Sequence, residues 1–448
     1  MSNTHKIFYG KEAKVEFKHD EYKYSVIEDN SVFGKKKSSF LSHINKAAGR
    51  LPDPLIIDFL RISTFVYQAD KLVMREYFKD NWTRKISITV PVSDVNLWEI
   101  NKETLTEAIS FLSGDSWDFE FTQDKSEYNR TRVAKPLHTG NVSLFSGGMD
   151  SFLGAIDLLN QNKGQQSQVW FVGHASGSGG IQKLLYEKLK NHFKARGQAE
   201  FFPLRFTAAS IYKNKLEPST RSRSILFIGG GLAVASGLYD DASLIIPENG
   251  LISLNNPLTS ARNGSCSTRT THPYFISKLN QLLKDLGLKH QIELPYRFKT
   301  KGEMMIQCAD HKILKKHIAE TMSCSHRNGG RILNRIKNIN PYTAGLNCGY
   351  CVPCMIRYAS FHAAGIPEDS PFAPLDSYTP DISKDTYRDR RAFFMALERQ
   401  KNWTDADYLY HVANSGQLPS SHLKAYANVY KRGIQEVKDY LDAYKISD

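Results

Sequence analysis

The chain has 448 residues, 41% hydrophobic and 23% charged, which allows two or three domains with a substantial core and excludes a disordered polymer. Lys and Arg number 59 against 46 Asp and Glu, a net charge of +13 that suits a nucleotide, a nucleic acid or an acidic protein surface without choosing among them. Residues 1–15 are polar and charged with no apolar core, so no secretory signal is expected. The most lipid-like run, 225–239, is too short to span a bilayer and carries Gly229, Gly230, Gly231 and Gly237. A soluble, cytoplasmic protein without membrane association is expected, with 225–239 as a buried helix packed closely on a sheet.

Residues 1–135 have their own pattern. Runs 21–27 and 85–90 alternate as strands, 55–72 and 105–112 carry helical spacing, and Trp117, Phe119 and Phe121 form one face of a strand. A small α+β accessory domain is predicted there, with no catalytic cluster and with partner binding or substrate capping as its default role. From 140 the pattern becomes strand, helix, strand, helix. Strands are expected at 141–145, 169–173, 201–206 and 244–246, and near Ile292 and Leu294. Between them lie a helix beginning near Phe152, a stripe of Ile181, Leu184, Leu185, Leu189 and Phe193, a helix over 222–239, and a helix opened by Pro273. This alternation predicts an α/β fold, a doubly wound and mainly parallel sheet with ligands at the carboxyl ends of its strands. Residues 370–448 read as a C-terminal helical extension, a structural appendage.

Two motifs carry chemistry. Ser146-Gly147-Gly148-Met149-Asp150-Ser151 stands directly after an apolar strand and directly before a helix start. Glycines there let successive N–H groups point at one oxyanion, and the helix adds its N-terminal partial positive charge. Ser146 and Ser151 can donate hydroxyls, and Asp150 can hold a metal or a pyrophosphate-bound water. The alternative is an ordinary strand-to-helix turn. The Walker pattern is absent, which disfavours a kinase or GTPase.

The second motif is Cys348-Gly349-Tyr350-Cys351-Val352-Pro353-Cys354, followed by Arg357. Three thiolates from one tight turn, completed by Cys324, make a four-sulfur site for structural zinc, with an iron–sulfur cluster as the alternative. Tight clustering argues for metal over disulfides. Basic groups at 35–37, 312–316 and 327–337 are explained by solvated faces around a nucleotide site at least as well as by an RNA track.

The loop at 146–151 resembles the PP-loop of ATP pyrophosphatases, which cleave ATP to AMP and pyrophosphate while adenylating a carbonyl oxygen. Loop and cysteine turn together resemble QueC, the 7-cyano-7-deazaguanine synthase family. Arg221-Ser222-Arg223-Ser224 and Thr300-Lys301-Gly302-Glu303-Met304 agree with that family, so the resemblance covers about 140–366. QueC proper is much shorter and lacks both end regions. The segments Pro247-Glu248-Asn249-Gly250, 254–258 and Cys266 to Pro273, and an insertion carrying Arg327, Arg331, Arg335 and Lys337, look most like QueC-like proteins of the Qat anti-phage systems.

The resemblance implies a PP-loop domain of the adenine nucleotide alpha hydrolase-like (HUP) fold over 140–366, between an accessory domain over 1–135 and the extension over 370–448. It implies ATP, Mg²⁺ and Zn²⁺ as cofactors. Ser146, Gly147, Gly148, Met149, Asp150 and Ser151 are expected to grip the pyrophosphate end of ATP. Asp150, Ser151, Arg223 and Lys301 are the expected catalytic set, with surface salt bridges the other role for Arg223 and Lys301. Glu248 and Asn249 are placed to read a guanine-like edge, or else shape a turn at Gly250. Arg269 and His272 are candidates for the carboxylate or the amine, although Thr271-His272-Pro273 is also a helix-start sequence. Cys324, Cys348, Cys351 and Cys354 are the expected metal ligands.

The implied reaction adenylates a 7-carboxy-7-deazaguanine-type carboxylate and passes it to an amine. That amine is ammonia in a nitrile synthase, or a protein amine of a QatB-like partner from the same defence operon. A tRNA-modifying PP-loop enzyme and a non-catalytic subunit of a defence complex are the other classes. A deazaguanine-type small molecule and a protein are the expected partners, with nucleic acid left open but not favoured.

Overall fold

The computed structural model describes residues 5–9, 15–18, 21–26, 28, 30–34, 39–125, 140–162, 168–174, 179–194, 199–204, 216–218, 221–259, 269–325, 347–369 and 388–444. Among these, ten strands form two five-stranded sheets. The first contains β1 (His5–Tyr9), β2 (Val15–Lys18), β3 (Glu21–Val26), β4 (Lys85–Val92) and β5 (Ser116–Gln123) in the order β2-β3-β1-β4-β5. Along β5 exposed and buried residues alternate, and Trp117, Phe119 and Phe121 are the buried face. The expected α+β character is corrected here: β1 pairs parallel with β3 and β4, β4 pairs parallel with β5, and only β2 runs antiparallel, to β3. The helix Lys102–Ser113 lies between β4 and β5 in the chain, and a helical crossover of this kind makes consecutive strands parallel.

The second sheet contains β6 (Gly140–Leu144), β7 (Gln168–His174), β8 (Ala199–Leu204), β9 (Leu244–Ile245) and β10 (Ile292–Glu293) in the order β10-β9-β6-β7-β8, all parallel. The chain builds outward from β6 to β7 and β8 on one side, then returns to place β9 and β10 on the other. Strand order therefore reverses at β6, and the segments leaving β6 and β9 diverge around a crevice at their carboxyl ends.

The helix Arg223–Leu238 is buried along almost its whole length, as its glycines and low polarity lead one to expect. Gly231 faces Leu244 of β9, and Gly229 faces Ser63 of the helix Pro54–Leu72, positions where a Cβ would collide. One continuous hydrophobic core joins residues of both sheets through this helix, from Ile7 and Ile88 to Val172 and Leu244. No helix among the described residues is long and apolar enough to cross a membrane.

A buried ionic network stitches the same junction. Asp115 accepts from Arg75 at 2.7 and 2.9 Å and from Arg84 at 2.6 Å, Arg84 also pairs with Asp70, and Asp70 accepts from the Ser222 N–H at 2.9 Å and hydroxyl at 2.7 Å. Burial pushes the Asp115 carboxyl up, but the Arg84 and Arg75 guanidiniums outweigh it and hold it below the usual carboxylate range. The C-terminal helices Arg388–Gln400, Asp405–Ala413 and Ser420–Ala443 form a further core with Leu251, Leu254, Met355 and Ile356, so the expected appendage is packed into the body of the protein.

Removing one carboxylate leaves two guanidiniums buried side by side. Asp115→Ala is expected to lower the apparent unfolding free energy by about 3–5 kcal/mol in urea titration. Asp240→Ala, at a side chain 71% exposed and paired with Arg50, is expected to leave the urea midpoint unchanged.

Candidate active site and metal centre

Phe145 continues the ladder beyond β6, its N–H donating to Val172 O at 2.8 Å, and then the chain turns sharply. Gly147 adopts φ +78°, left-handed backbone that a side chain would strain, and its position is closed off by the Gln182 side chain. Gly148 is the N-cap of the helix Met149–Gln161 and brings no capping side chain. The turn is tied internally instead. Gly148 N–H donates to Ser146 Oγ at 3.2 Å, Ser151 Oγ donates to Gly148 O at 3.0 Å, and the two hydroxyl oxygens are 3.2 Å apart. Two outside groups secure it: Gln182 Nε2 donates to Ser146 O at 3.1 Å, and Met322 N–H donates to Gly147 O at 3.0 Å. The amide N–H groups of a helix's first turn, with its dipole behind them, form an anion-binding end.

Asp150 stands in that first turn and is 7% exposed. Its Oδ1 lies 3.0 Å from Lys301 Nζ, and its Oδ2 accepts from the Asn249 side-chain amide at 2.6 Å and the Asn249 N–H at 3.3 Å. Asn249 Oδ1 in turn caps Ile252 N–H at 3.1 Å, so one side chain both starts the helix Gly250–Leu254 and grips the carboxylate. Burial pushes the Asp150 carboxyl up, but the Lys301 ammonium and hydrogen bonds from Glu248, Asn249 and Lys301 bring it below its ordinary value. Glu248 moves the opposite way, driven well above the ordinary carboxylate value by burial and by the Asp150 charge. The two carboxyls are thus pushed in opposite directions, Asp150 toward its charged form and Glu248 toward its neutral one. These residues leave β6, β9 and the segment after β10, which places the cluster in the crevice where strand order reverses.

The remaining candidates separate. Arg223 opens its helix with its guanidinium 5.5 Å from the Phe227 ring centroid, and Phe227 packs on His174 at the carboxyl end of β7, on the loop's side of the sheet. Arg269 lies 4.4 Å over the Phe111 ring and donates to Phe111 O at 3.0 Å. His272 caps the helix Pro273–Asp285 by accepting from Tyr274 N–H at 3.2 Å, and its Nε2 meets Ser415 Oγ at 2.9 Å. Burial first, then Arg269, pushes His272 down to about 3, so it is neutral at physiological pH. The structure brings Asp150, Glu248, Asn249 and Lys301 together, while Arg269 and His272 join the Lys102–Ser113 helix to the C-terminal region. Gln182 and Met322 escaped sequence reasoning because neither belongs to a motif.

The four cysteines converge. Their sulfurs all lie within 4.8 Å of one another, with Cys348 to Cys354 at 3.9 Å and Cys351 to Cys324 at 4.0 Å. A tetrahedral ion with metal–sulfur bonds of about 2.3 Å has sulfur edges of about 3.8 Å, so the set fits a metal such as zinc. Gly349 takes φ +85° inside the turn, and the Cys351 N–H points at Cys348 Sγ at 3.4 Å, a donor suited to a thiolate. The centre borders the loop. Met322 lies two residues before Cys324, and Ser360, on the helix Val352–Ala364 that carries Cys354, meets Met149 Sδ at 3.6 Å. The basic insertion from Arg327 to Lys337, and Cys266 to Thr268, lie outside the described residues.

A scan of protein-family models finds no match to this chain, and no curated protein or solved structure matches it either.

Two outcomes follow from this geometry. Elemental analysis of the purified protein is expected to find about one zinc per chain, with no visible absorption band, and Cys351→Ser is expected to lose the metal. Glu248, raised above 4.5, contributes stability that is complete below that value and is lost as pH rises through its folded pKa. The parent protein's melting temperature is expected to fall as pH rises through this range, and Glu248→Gln is expected to flatten that fall.

Proposed function

We propose that the chain is an ATP pyrophosphatase of the PP-loop kind, related to QueC, which adenylates the carboxylate of a 7-carboxy-7-deazaguanine-type base and passes the acyl group to an amine. The observation that carries this reading is the buried Asp150 carboxyl of the 146–151 turn, 3.0 Å from Lys301 Nζ and 2.6 Å from the Asn249 amide. An anion-binding helix start beside a cation and two carboxylates matches the needs of a polyphosphate and its counter-ion.

Ser146 Oγ, Ser151 Oγ and the first N–H groups of the Met149–Gln161 helix would hold the pyrophosphate end of ATP. Asp150 supplies a carboxylate oxygen of the kind a hard cation such as Mg²⁺ takes, Glu248 would add another on losing its proton as the cation arrives, and when bound that ion would screen the phosphate charge. Lys301 sits beside the same carboxylate and stabilises negative charge growing on the departing pyrophosphate. A carboxylate oxygen of the base attacks the α-phosphorus, and the bond from that phosphorus to the bridging oxygen breaks. An amine nitrogen then adds to the acyl carbon, AMP departs with the carbon–oxygen electron pair, and the amine loses a proton. Burial of the cluster keeps water from the acyl adenylate. Zinc held by Cys324, Cys348, Cys351 and Cys354 would be structural, since all four positions would be protein sulfurs.

The acceptor amine is a lysine or terminal amine of a protein partner, the reading favoured by the Qat-like sequence segments and by the regions flanking 140–366. Four cysteine sulfurs gathered at one metal-sized site count against a sulfur-transferring tRNA enzyme, which needs reactive cysteines.

Incubation with ATP, Mg²⁺ and 7-carboxy-7-deazaguanine is expected to release AMP and pyrophosphate, and Asp150→Ala is expected to lower that rate at least a hundredfold. With the operon partner added, intact-mass analysis is expected to find the partner heavier by the base acyl group. A free nitrile beside an unmodified partner would instead identify ammonia as the amine.

A further inference from the structure

The turn on either side of Lys301 meets a residue more than a hundred positions away in the chain. Lys301 begins the short helix Lys301–Ile306, whose N-cap Thr300 forms a capping box with Glu303: Thr300 Oγ1 accepts from Glu303 N–H at 3.1 Å, and Thr300 N–H donates to Glu303 Oε2 at 2.9 Å. Thr300 is fully buried, so its hydroxyl hydrogen also needs an acceptor. That acceptor is Glu436 Oε1, on the helix Ser420–Ala443, and Glu436 Oε2 accepts from Gly302 N–H at 3.4 Å. The approach requires glycine at 302, where a Cβ would stand 2.5 Å from Glu436 Oε1 and 3.0 Å from Ala363 Cβ. One turn further out, Arg432 clamps Glu303 at 2.6 and 3.2 Å.

The charged neighbours of Glu436 are Arg432 on its own helix and Glu303 on the helix it grips, while the Val352–Ala364 helix presents Ala363 to Gly302. Burial pushes the Glu436 carboxyl up to about 7, ahead of the Thr300 and Gly302 hydrogen bonds that oppose the shift. A carboxyl raised in this way contributes stability below its unfolded value of 4.5 and loses it as pH rises through 7. At pH 8 the ionised side chain has therefore lost the stability its protonated form contributes. Stability alone does not explain a carboxylate here.

We propose that Glu436 is a positioning residue of the site: it fixes the first turn of the Lys301 helix through Thr300 and Gly302, and so holds Lys301 against Asp150. The C-terminal helix is then part of the working centre. A carboxylate can accept two hydrogen bonds at once from Thr300 and Gly302 through separate oxygens, whereas an amide offers one oxygen and turns donors toward the other partner. The inference rests on the ATP reading only for its kinetic consequence.

Glu436→Gln tests it at pH 8 in the full chain. The melting temperature is expected to be equal to or above that of the parent. Hydrogen exchange of the Gly302 amide is expected to quicken about tenfold, and kcat/KM for ATP in AMP formation to fall about tenfold. Glu436→Asp, which keeps both oxygens, is expected to recover part of each loss. Unchanged exchange at Gly302 overturns the proposal, and so does altered exchange with unaltered kcat/KM. If the parent protein forms no AMP, the ATP reading fails on its own, and Gly302 exchange still decides whether Glu436 holds the Lys301 turn.

Discussion

A carboxylate buried away from water is the constraint on which this site depends. The Asp150 carboxyl is held below its ordinary value because two separate segments meet around it: Lys301 supplies a positive charge, and the adjacent Glu248 and Asn249 supply hydrogen bonds. An isolated buried charge would take up a proton or be expelled toward solvent. The parallel sheet brings the segments after β6 and β9 side by side, because adjacent parallel strands end at the same edge. Lys301 arrives from beyond β10. The cluster exists only when all of them are in register.

That requirement explains how much of the molecule is devoted to bracing. The four-cysteine centre lies beside Met322 and on the Val352–Ala364 helix, which contact the 146–151 turn at Gly147 and Met149. The long C-terminal helix reaches Leu251 beside Asn249, the Val352–Ala364 helix and the turn that begins the Lys301 helix. The first sheet enters through the buried Asp70, Arg84 and Asp115 network, which holds Ser222 at the head of the helix that carries Arg223. In the proposed adenylation, such support limits the motion of the groups that stabilise charge on the leaving pyrophosphate.

Much of this was legible along the chain. The strand and helix alternation after residue 140, the glycine turn at 146–151 and the cysteine spacing are local patterns, and the structure forms parallel strands, a left-handed Gly147 and one sulfur cluster from them. The roles of polar residues were harder to read. Asn249 turns inward to Asp150, and His272 and Arg269 spend their hydrogen bonds on a helix cap, Ser415 and the Phe111 carbonyl. A histidine before proline has the same sequence in either role. The pairing order β2-β3-β1-β4-β5 was likewise invisible, because periodicity reports which face of a strand is apolar and not which strand lies beside it.

What the sequence by itself determined is therefore what backbone stereochemistry and short-range spacing control: where helices and strands form, where a turn demands glycine, and which thiols leave one tight loop. Tertiary structure alone decided the electrostatics. The lowering of Asp150, the raising of Glu248 and the neutrality of His272 depend on burial and on partners as far apart in the chain as Asp150 and Lys301. The same holds for Glu436, which meets Thr300 only because two helices pack at a glycine. Charge interactions act through space and are set by local polarity, and neither distance nor polarity is written in the order of residues.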